Sequence, residues 1–172
     1  SHLKNHTNIA VNPIEKRAKI GDEIFIESSY FYLTGHGNVK FNDDDAQLLR
    51  DKLLAGAFLH ADDNYGMDKS FRKTLKELFP DKELIELPIS HEIFNCYYSF
   101  PNGLPKIHEH DNKRPQALGL FHEGTLIVLY TYESDLGDGW EDAEVHNDSE
   151  ATRLKALQMG SNILQYVFNG ID

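Results

Sequence analysis

Four short stretches of this 172-residue chain carry side chains able to do chemistry, and most of them follow directly on an apolar run. Phe58-Leu59 drives into His60-Ala61-Asp62-Asp63-Asn64-Tyr65-Gly66. In an extended chain alternate residues share a face, so His60 and Asp62 point one way and Asp63 the other. Imidazole beside carboxylate suits an acid/base pair or a divalent ion. Asp62 and Asn64 suit equally well a capped turn into a following helix. His108-Glu109-His110-Asp111 offers two imidazoles two residues apart, half of a metal site if His108 and His110 face one cavity. Such a half-site needs a partner from elsewhere, with His60 the first candidate; otherwise it is a solvated loop.

The third stretch, Glu133-Ser134-Asp135-Leu136-Gly137-Asp138-Gly139-Trp140, again follows an apolar run. Eight carboxylates and no lysine or arginine fall between Glu133 and Thr152. Glu133 and Asp135 would bind a cation or a hydroxyl-rich ligand, with Trp140 as a stacking face. The spacing is not that of an EF-hand, and a merely solvated acidic loop is the alternative. Thr34-Gly35-His36-Gly37 would bring His36 and backbone N–H groups toward a ligand, but it lacks the dinucleotide and P-loop glycine patterns. Ser70-Phe71-Arg72-Lys73 matches the S-x-x-K of penicillin-binding enzymes only formally, and no G-x-S-x-G elbow is present.

The elements that must position these groups are legible from periodicity. Residues 1–22 read as the tail of a helix and a loop, broken at Asn12-Pro13. Tyr30-Phe31-Tyr32-Leu33 predicts a strand. Leu48, Leu49, Leu53 and Leu54, behind Asn42 or Asp43 as N-cap and before Gly56, predict a helix. A strand follows into His60, then a helix from Asp68 with Phe71, Leu75 and Leu78 on one face and Pro80 at its end, then a strand over residues 83–87. This βαβαβ order predicts a parallel sheet covered on both faces, with polar strand ends as the natural ligand site. Residues 88–115 are irregular, a length that points to function or mobility. Residues 117–121 and 125–132 predict a β-hairpin or two adjacent strands. The last helix starts near Ser149, with Leu154, Leu157, Ile163, Leu164, Val167 and Phe168 as its core stripe.

Composition bounds the function. The length fits a single domain, residues 1–172, with 40% hydrophobic residues and no apolar run near the roughly 18 residues of a membrane span. Seventeen basic against 28 acidic residues give a net charge of −11, which repels phosphate backbones and excludes nucleic acid as the expected partner. The lone Cys96 excludes an internal disulfide and a cysteine zinc cage, and leaves the compartment open. Ser1-His2-Leu3 has no initiator methionine and reads as a processed or trimmed start.

Tyr32-Leu33-Thr34-Gly35-His36-Gly37, the run from Phe58 to Asp68, Phe100-Pro101-Asn102-Gly103-Leu104-Pro105-Lys106-Ile107-His108-Glu109-His110 and the run from Tyr132 to Asp142 together resemble a bacterial domain-of-unknown-function family, number four-one-five-nine. That family resembles a branch of the class I glutamine amidotransferase-like superfamily, near trehalose-utilisation-like proteins. The resemblance implies a flavodoxin-like three-layer α/β/α sandwich with a mostly parallel sheet, here lacking a first strand, so that a sheet edge would need covering. It implies no activity, because the family's is unassigned. The amidotransferases place a nucleophilic cysteine after the strand matching residues 57–60; here the turn reads His60-Ala61-Asp62-Asp63, so thiol chemistry is not expected. Trehalose-utilisation-like proteins have a histidine near the place of His60.

Two readings stay open. In the first, His36, His60, Asp62, Asp63, Asn64, His108, His110, Glu133, Asp135 and Trp140 serve a strand-end pocket for a small polar, sugar-like ligand. His60 and Asp62 are then catalytic base and orienter, and His108 and His110 hold a divalent metal for hydrolysis. In the second, the domain is a non-catalytic scaffold in a periplasmic or envelope-associated system, its acidic face meeting a basic protein partner.

Overall fold

The computed structural model describes residues 8–11, 16–35, 37–109, 112–141 and 149–169. In chain order the elements are β1 (Asn8–Val11), β2 (Lys16–Lys19), α1 (Glu23–Glu27), β3 (Tyr30–Gly35), α2 (Asp43–Leu54), β4 (Phe58–Asp63), α3 (Asp68–Leu78), β5 (Ile85–Glu86), β6 (Gln116–His122), β7 (Thr125–Tyr132) and α4 (Glu150–Asn169). Single 3-10 turns span Glu92–Phe94 and Leu136–Trp140.

The strands form one sheet in the order β2-β1-β3-β4-β7-β6-β5. Its centre follows from burial. Every residue of β4 is buried, as are six consecutive residues of β7, and only strands covered on both faces tolerate such runs. β3, β4 and β7 are mutually parallel, and their carboxyl ends meet at one rim. Parallel pairing stops there: β1 and β6 join antiparallel, and β2 and β5 extend them antiparallel at the edges. The class is mixed α/β around a parallel core, less parallel than the sequence pattern predicts. The segment predicted as a third parallel strand contributes only two exposed residues, Ile85 and Glu86, at an edge. β7 takes the central place beside β4 because it has far more apolar surface to bury.

Residues 8–11 and 16–19 also correct the expectation of a helix tail and loop. They form a hairpin whose Ile9 is fully buried and whose β1 covers the free edge of β3.

Helices lie on both faces. On one, Phe25 of α1, Leu49 and Leu53 of α2 and Phe71, Leu75 and Leu78 of α3 pack on Phe31, Leu59, Ala61, Val128 and Tyr130. On the other, Ala156, Met159, Ile163 and Val167 of α4 pack on Tyr30, Phe58 and Leu129. Each such large side chain contributes about 1.5–3 kcal/mol when fully buried. Asn42 caps α2 by accepting from Asp45 N at 2.8 Å, ahead of three aspartates that suit the positive end of the helix. Ser149 Oγ accepts from Thr152 N at 3.1 Å and caps α4 as predicted. The predicted stripe of α4 is rotated, however: Leu154, Leu157 and Phe168 are exposed, and Ala156, Met159 and Asn162 are buried in their place. Ala156 and Asn162 win their positions because the loop after β5 and the segment from Gly139 to Trp140 lie close against the helix.

Candidate functional site

The register of the parallel strands sets the site. Tyr32 lies beside His60, and Asp62 lies between Thr34 and Thr131. Alternation then puts Tyr32, His60, Asp62 and Thr131 on the α4 face at the carboxyl rim. Asp62 and His60 share a face as predicted, yet they meet through Thr131, which the sequence reading did not single out. Thr131 Oγ1 donates to Asp62 Oδ1 at 2.5 Å and lies 2.8 Å from His60 Nε2. A hydroxyl has one proton, so when Asp62 is ionised and takes it, the imidazole donates from Nε2. That leaves Nδ1 as a buried atom with no hydrogen-bond partner among the described residues.

Both groups are shut away from water. His60 is fully buried, and desolvation lowers its pKa from 6.5 to about 3, so it is a neutral ring. Asp62 is raised from 3.8 to about 7 by desolvation, which outweighs the donors on its carboxylate. Those donors are Thr131, Gly137 N at 2.7 Å and the Tyr32 hydroxyl at 3.3 Å, both of the latter on Oδ2. A carboxyl that titrates near neutrality is poised for proton transfer. Tyr32 itself is held well above its usual range by burial and then by Asp62.

Gly137 reaches Asp62 because the loop after β7 folds back sharply. Glu133 and Asp135 both have left-handed backbone, φ 61° and 55°. For residues with a Cβ this costs of order 1–3 kcal/mol each, strain that concentrates at functional sites. The segment before β6 is tied to the same loop: Ser134 Oγ donates to Pro105 O, while Ile107 N and His108 N donate to Ser134 O at 2.8 and 3.3 Å. This brings His108 to the acids. His108 Nδ1 lies 3.2 Å from Asp138 Oδ2 and 3.5 Å from Asp135 Oδ2. One ligand atom from each of the three lies within 4.8 Å of the others. Atoms bound at about 2.0–2.2 Å to one first-row cation stand at such separations. Asp135 and Asp138 are buried, so two carboxylates share a small volume with one imidazole, an arrangement that favours a cation.

The remaining expected site residues separate. Asp63 turns to the other face, where Oδ1 accepts from Met67 N at 3.4 Å in the turn leading to α3, a capping role that falls to Asp63 and not to Asp62, one of the two residues expected to play it. Asn64 is half-buried just beyond it. Glu133 is buried with Lys106 Nζ 3.8 Å away. Trp140 is not a free stacking face: its ring packs at 6.0 Å on His60 and 5.5 Å on Tyr32, and Nε1 donates to Ala156 O. It roofs His60. His60 does not line an open pocket, and among the described residues it reaches the His108 loop through Thr131, Asp62 and Gly137 rather than by direct pairing with His108. His36 and His110 lie outside the described residues. Cys96 donates to Asn162 O at 3.3 Å, and burial pushes its thiol up, away from nucleophilic character.

A family model described as Domain of unknown function (DUF4159) matches residues 1–168. The chain belongs to that family. No curated protein matches the chain. As a DUF4159 domain, its chemistry has to be argued from the rim residues themselves. Thr131 and Asp138 each carry a signal in the sequence: a hydroxyl near the end of an otherwise apolar strand, and an aspartate set between Gly137 and Gly139.

Proposed function

We propose that this domain binds a small polar, sugar-like ligand at the carboxyl ends of β3, β4 and β7, with a divalent cation held by His108, Asp135 and Asp138, and that it is a hydrolase lacking a thiol nucleophile. The observation that carries the reading is the adjacency of Asp62, whose titration is moved to about 7, to the His108, Asp135 and Asp138 cluster through Gly137. A cation there would polarise a ligand oxygen or supply hydroxide from a bound water at neutral pH. Asp62 is the proton-holding group behind it. Thr131 fixes its Oδ1, Gly137 and Tyr32 fix its Oδ2, and His60 completes the chain on the buried side.

Parallel central strands with helices on both faces, and polar groups gathered at the carboxyl rim, support a flavodoxin-like sandwich of the glutamine amidotransferase-like superfamily near the trehalose-utilisation-like proteins.

Protein purified without chelator, assayed for metal content and titrated with Mn2+ and Zn2+, tests the proposal. The expected result is one cation per chain and a raised Tm, both lost in His108→Ala and Asp138→Asn. If the parent retains no metal and neither cation shifts its Tm, the hydrolase reading fails. The acidic scaffold with a basic protein partner is then the better account.

A further inference from the structure

The outward side of α4 carries an apolar stripe. An α-helix turns once in about 3.6 residues, so Leu154, Leu157, Ser161, Leu164 and Phe168, spaced three and four apart, lie along one line of it. Leu154 is 54% exposed, Leu157 45% and Phe168 45%; Ser161 is exposed and Leu164 half-buried. The core is served by the other side of the helix, through Ala156, Met159, Ile163 and Val167. Single exposed leucines are ordinary on a surface, but an aligned row of them marks an interaction face. The spacing is that of positions a and d in a coiled coil.

Charge points to the occupant. Charged residues make up 26% of the chain, yet residues 156–169 contain no Asp, Glu, Lys or Arg. With a net charge of −11, this is a face on which two copies approach without like charges meeting. The cations of α4, Arg153 and Lys155, sit near its N-terminus and its last turn has none, the reverse of what the dipole of a lone helix favours. An antiparallel second α4 corrects this, because Lys155 of each copy then stands beside the last carbonyls of the other, which have no partner within their own helix. The shape is self-complementary as well, with large side chains at both ends of the stripe and the small Ser161 at its middle. A two-fold axis at Ser161 brings Leu154 against Phe168 and Leu157 against Leu164 in both directions. Tyr30 holds Phe168 in place for this contact, its ring centre 6.0 Å away. The loop that carries Tyr97 and Tyr98, 66% and 36% exposed, borders the middle of the stripe, because both backbone N–H groups donate to Asn162 Oδ1.

We propose that this face joins two copies of the chain, with their α4 helices antiparallel about a two-fold axis at Ser161. A helix of 20 residues is roughly 30 Å long and roughly 10 Å across, so the stripe and its bordering loop fall at the lower end of interface sizes and the association is micromolar. The pairing is independent of the rim cluster and of the function proposed for it.

Sedimentation equilibrium of the full chain tests the inference. A monomer–dimer equilibrium with a Kd between roughly 1 and roughly 100 µM is expected. Leu157→Glu sets two carboxylates in the apolar seam and should weaken the dimer at least about tenfold, while circular dichroism and Tm show a folded chain. In a Cys96→Ser background, mild oxidation should cross-link Ser161→Cys, whose position faces itself, and leave Leu154→Cys monomeric, because that position faces Phe168. Should Cys96→Ser not fold, Leu157→Glu decides alone. A chain that stays monomeric, whether the stripe is bare or another protein takes it, overturns the proposal. So does a dimer that Leu157→Glu leaves intact, or equal cross-linking at positions 154 and 161.

Discussion

Gly137 N donates to Asp62 Oδ2 at 2.7 Å, and a Cβ at Gly137 would stand 2.2 Å from the Tyr32 hydroxyl and 3.0 Å from that same carboxylate oxygen. The loop after β7 can therefore seal Asp62 only with glycine at this position. Gly137→Ala is expected to destabilise the protein by about 1–3 kcal/mol through overpacking. Tyr32→Phe removes the clashing oxygen, so the double variant should lose less than the sum of the two singles, as urea unfolding midpoints would show. Strict additivity would mean that the close approach is not what constrains Gly137.

Thr131 joins two buried polar groups with one hydroxyl. Thr131→Val leaves His60 Nε2 and Asp62 Oδ1 each without that partner, at an expected cost of about 2–6 kcal/mol, from an unsatisfied-group penalty of about 1–3 kcal/mol each. Thr131→Ser keeps the hydroxyl and should recover most of the loss. Equal destabilisation by serine and valine, measured by chemical denaturation, would show that the methyl group rather than the hydroxyl matters.

His60 and Asp62 drive the pH dependence of stability in opposite directions. Between about 3 and 6.5 the unfolded chain binds a proton at His60 that the folded chain does not, so this group makes stability rise with pH. Between 3.8 and about 7 the folded chain holds a proton on Asp62 that the unfolded chain has lost, so this group makes stability fall with pH. The two slopes oppose each other from 3.8 to 6.5. Relative to the parent, Asp62→Asn should gain stability with rising pH and His60→Gln should lose it, by up to about 2 kcal/mol between about pH 4.5 and about pH 6. Parallel profiles for parent and both variants would contradict these protonation states.

Asn162, fully buried in α4, holds the loop after β5. Its Oδ1 accepts from Tyr98 N at 2.8 Å and Tyr97 N at 3.3 Å, while Nδ2 donates to Ile93 O at 3.0 Å and Tyr98 O at 2.8 Å. Asn162→Leu strands four backbone groups and should raise amide exchange across residues 93–98 at least about tenfold without equal change in β4 or β7. Uniform exchange across the chain would place the effect in global stability instead.

Periodicity alone was enough for the local elements: β3, α2 with its Asn42 cap, β4, α3, the strands β6 and β7, and the start of α4 at Ser149. It also put His60 and Asp62 on one face, because that needs only the two-residue repeat of an extended chain. What it did not reveal was the edge hairpin of β1 and β2, whose pairing rests on long-range partners, or the rotation of the α4 stripe, fixed by Trp140 and a loop distant in sequence. Nor did it show that β7 inserts beside β4. That insertion brings Thr131 between His60 and Asp62, Gly137 onto Asp62, and His108 to Asp135 and Asp138. Strand order and loop closure are choices among competing burials, and only the assembled sheet decides them.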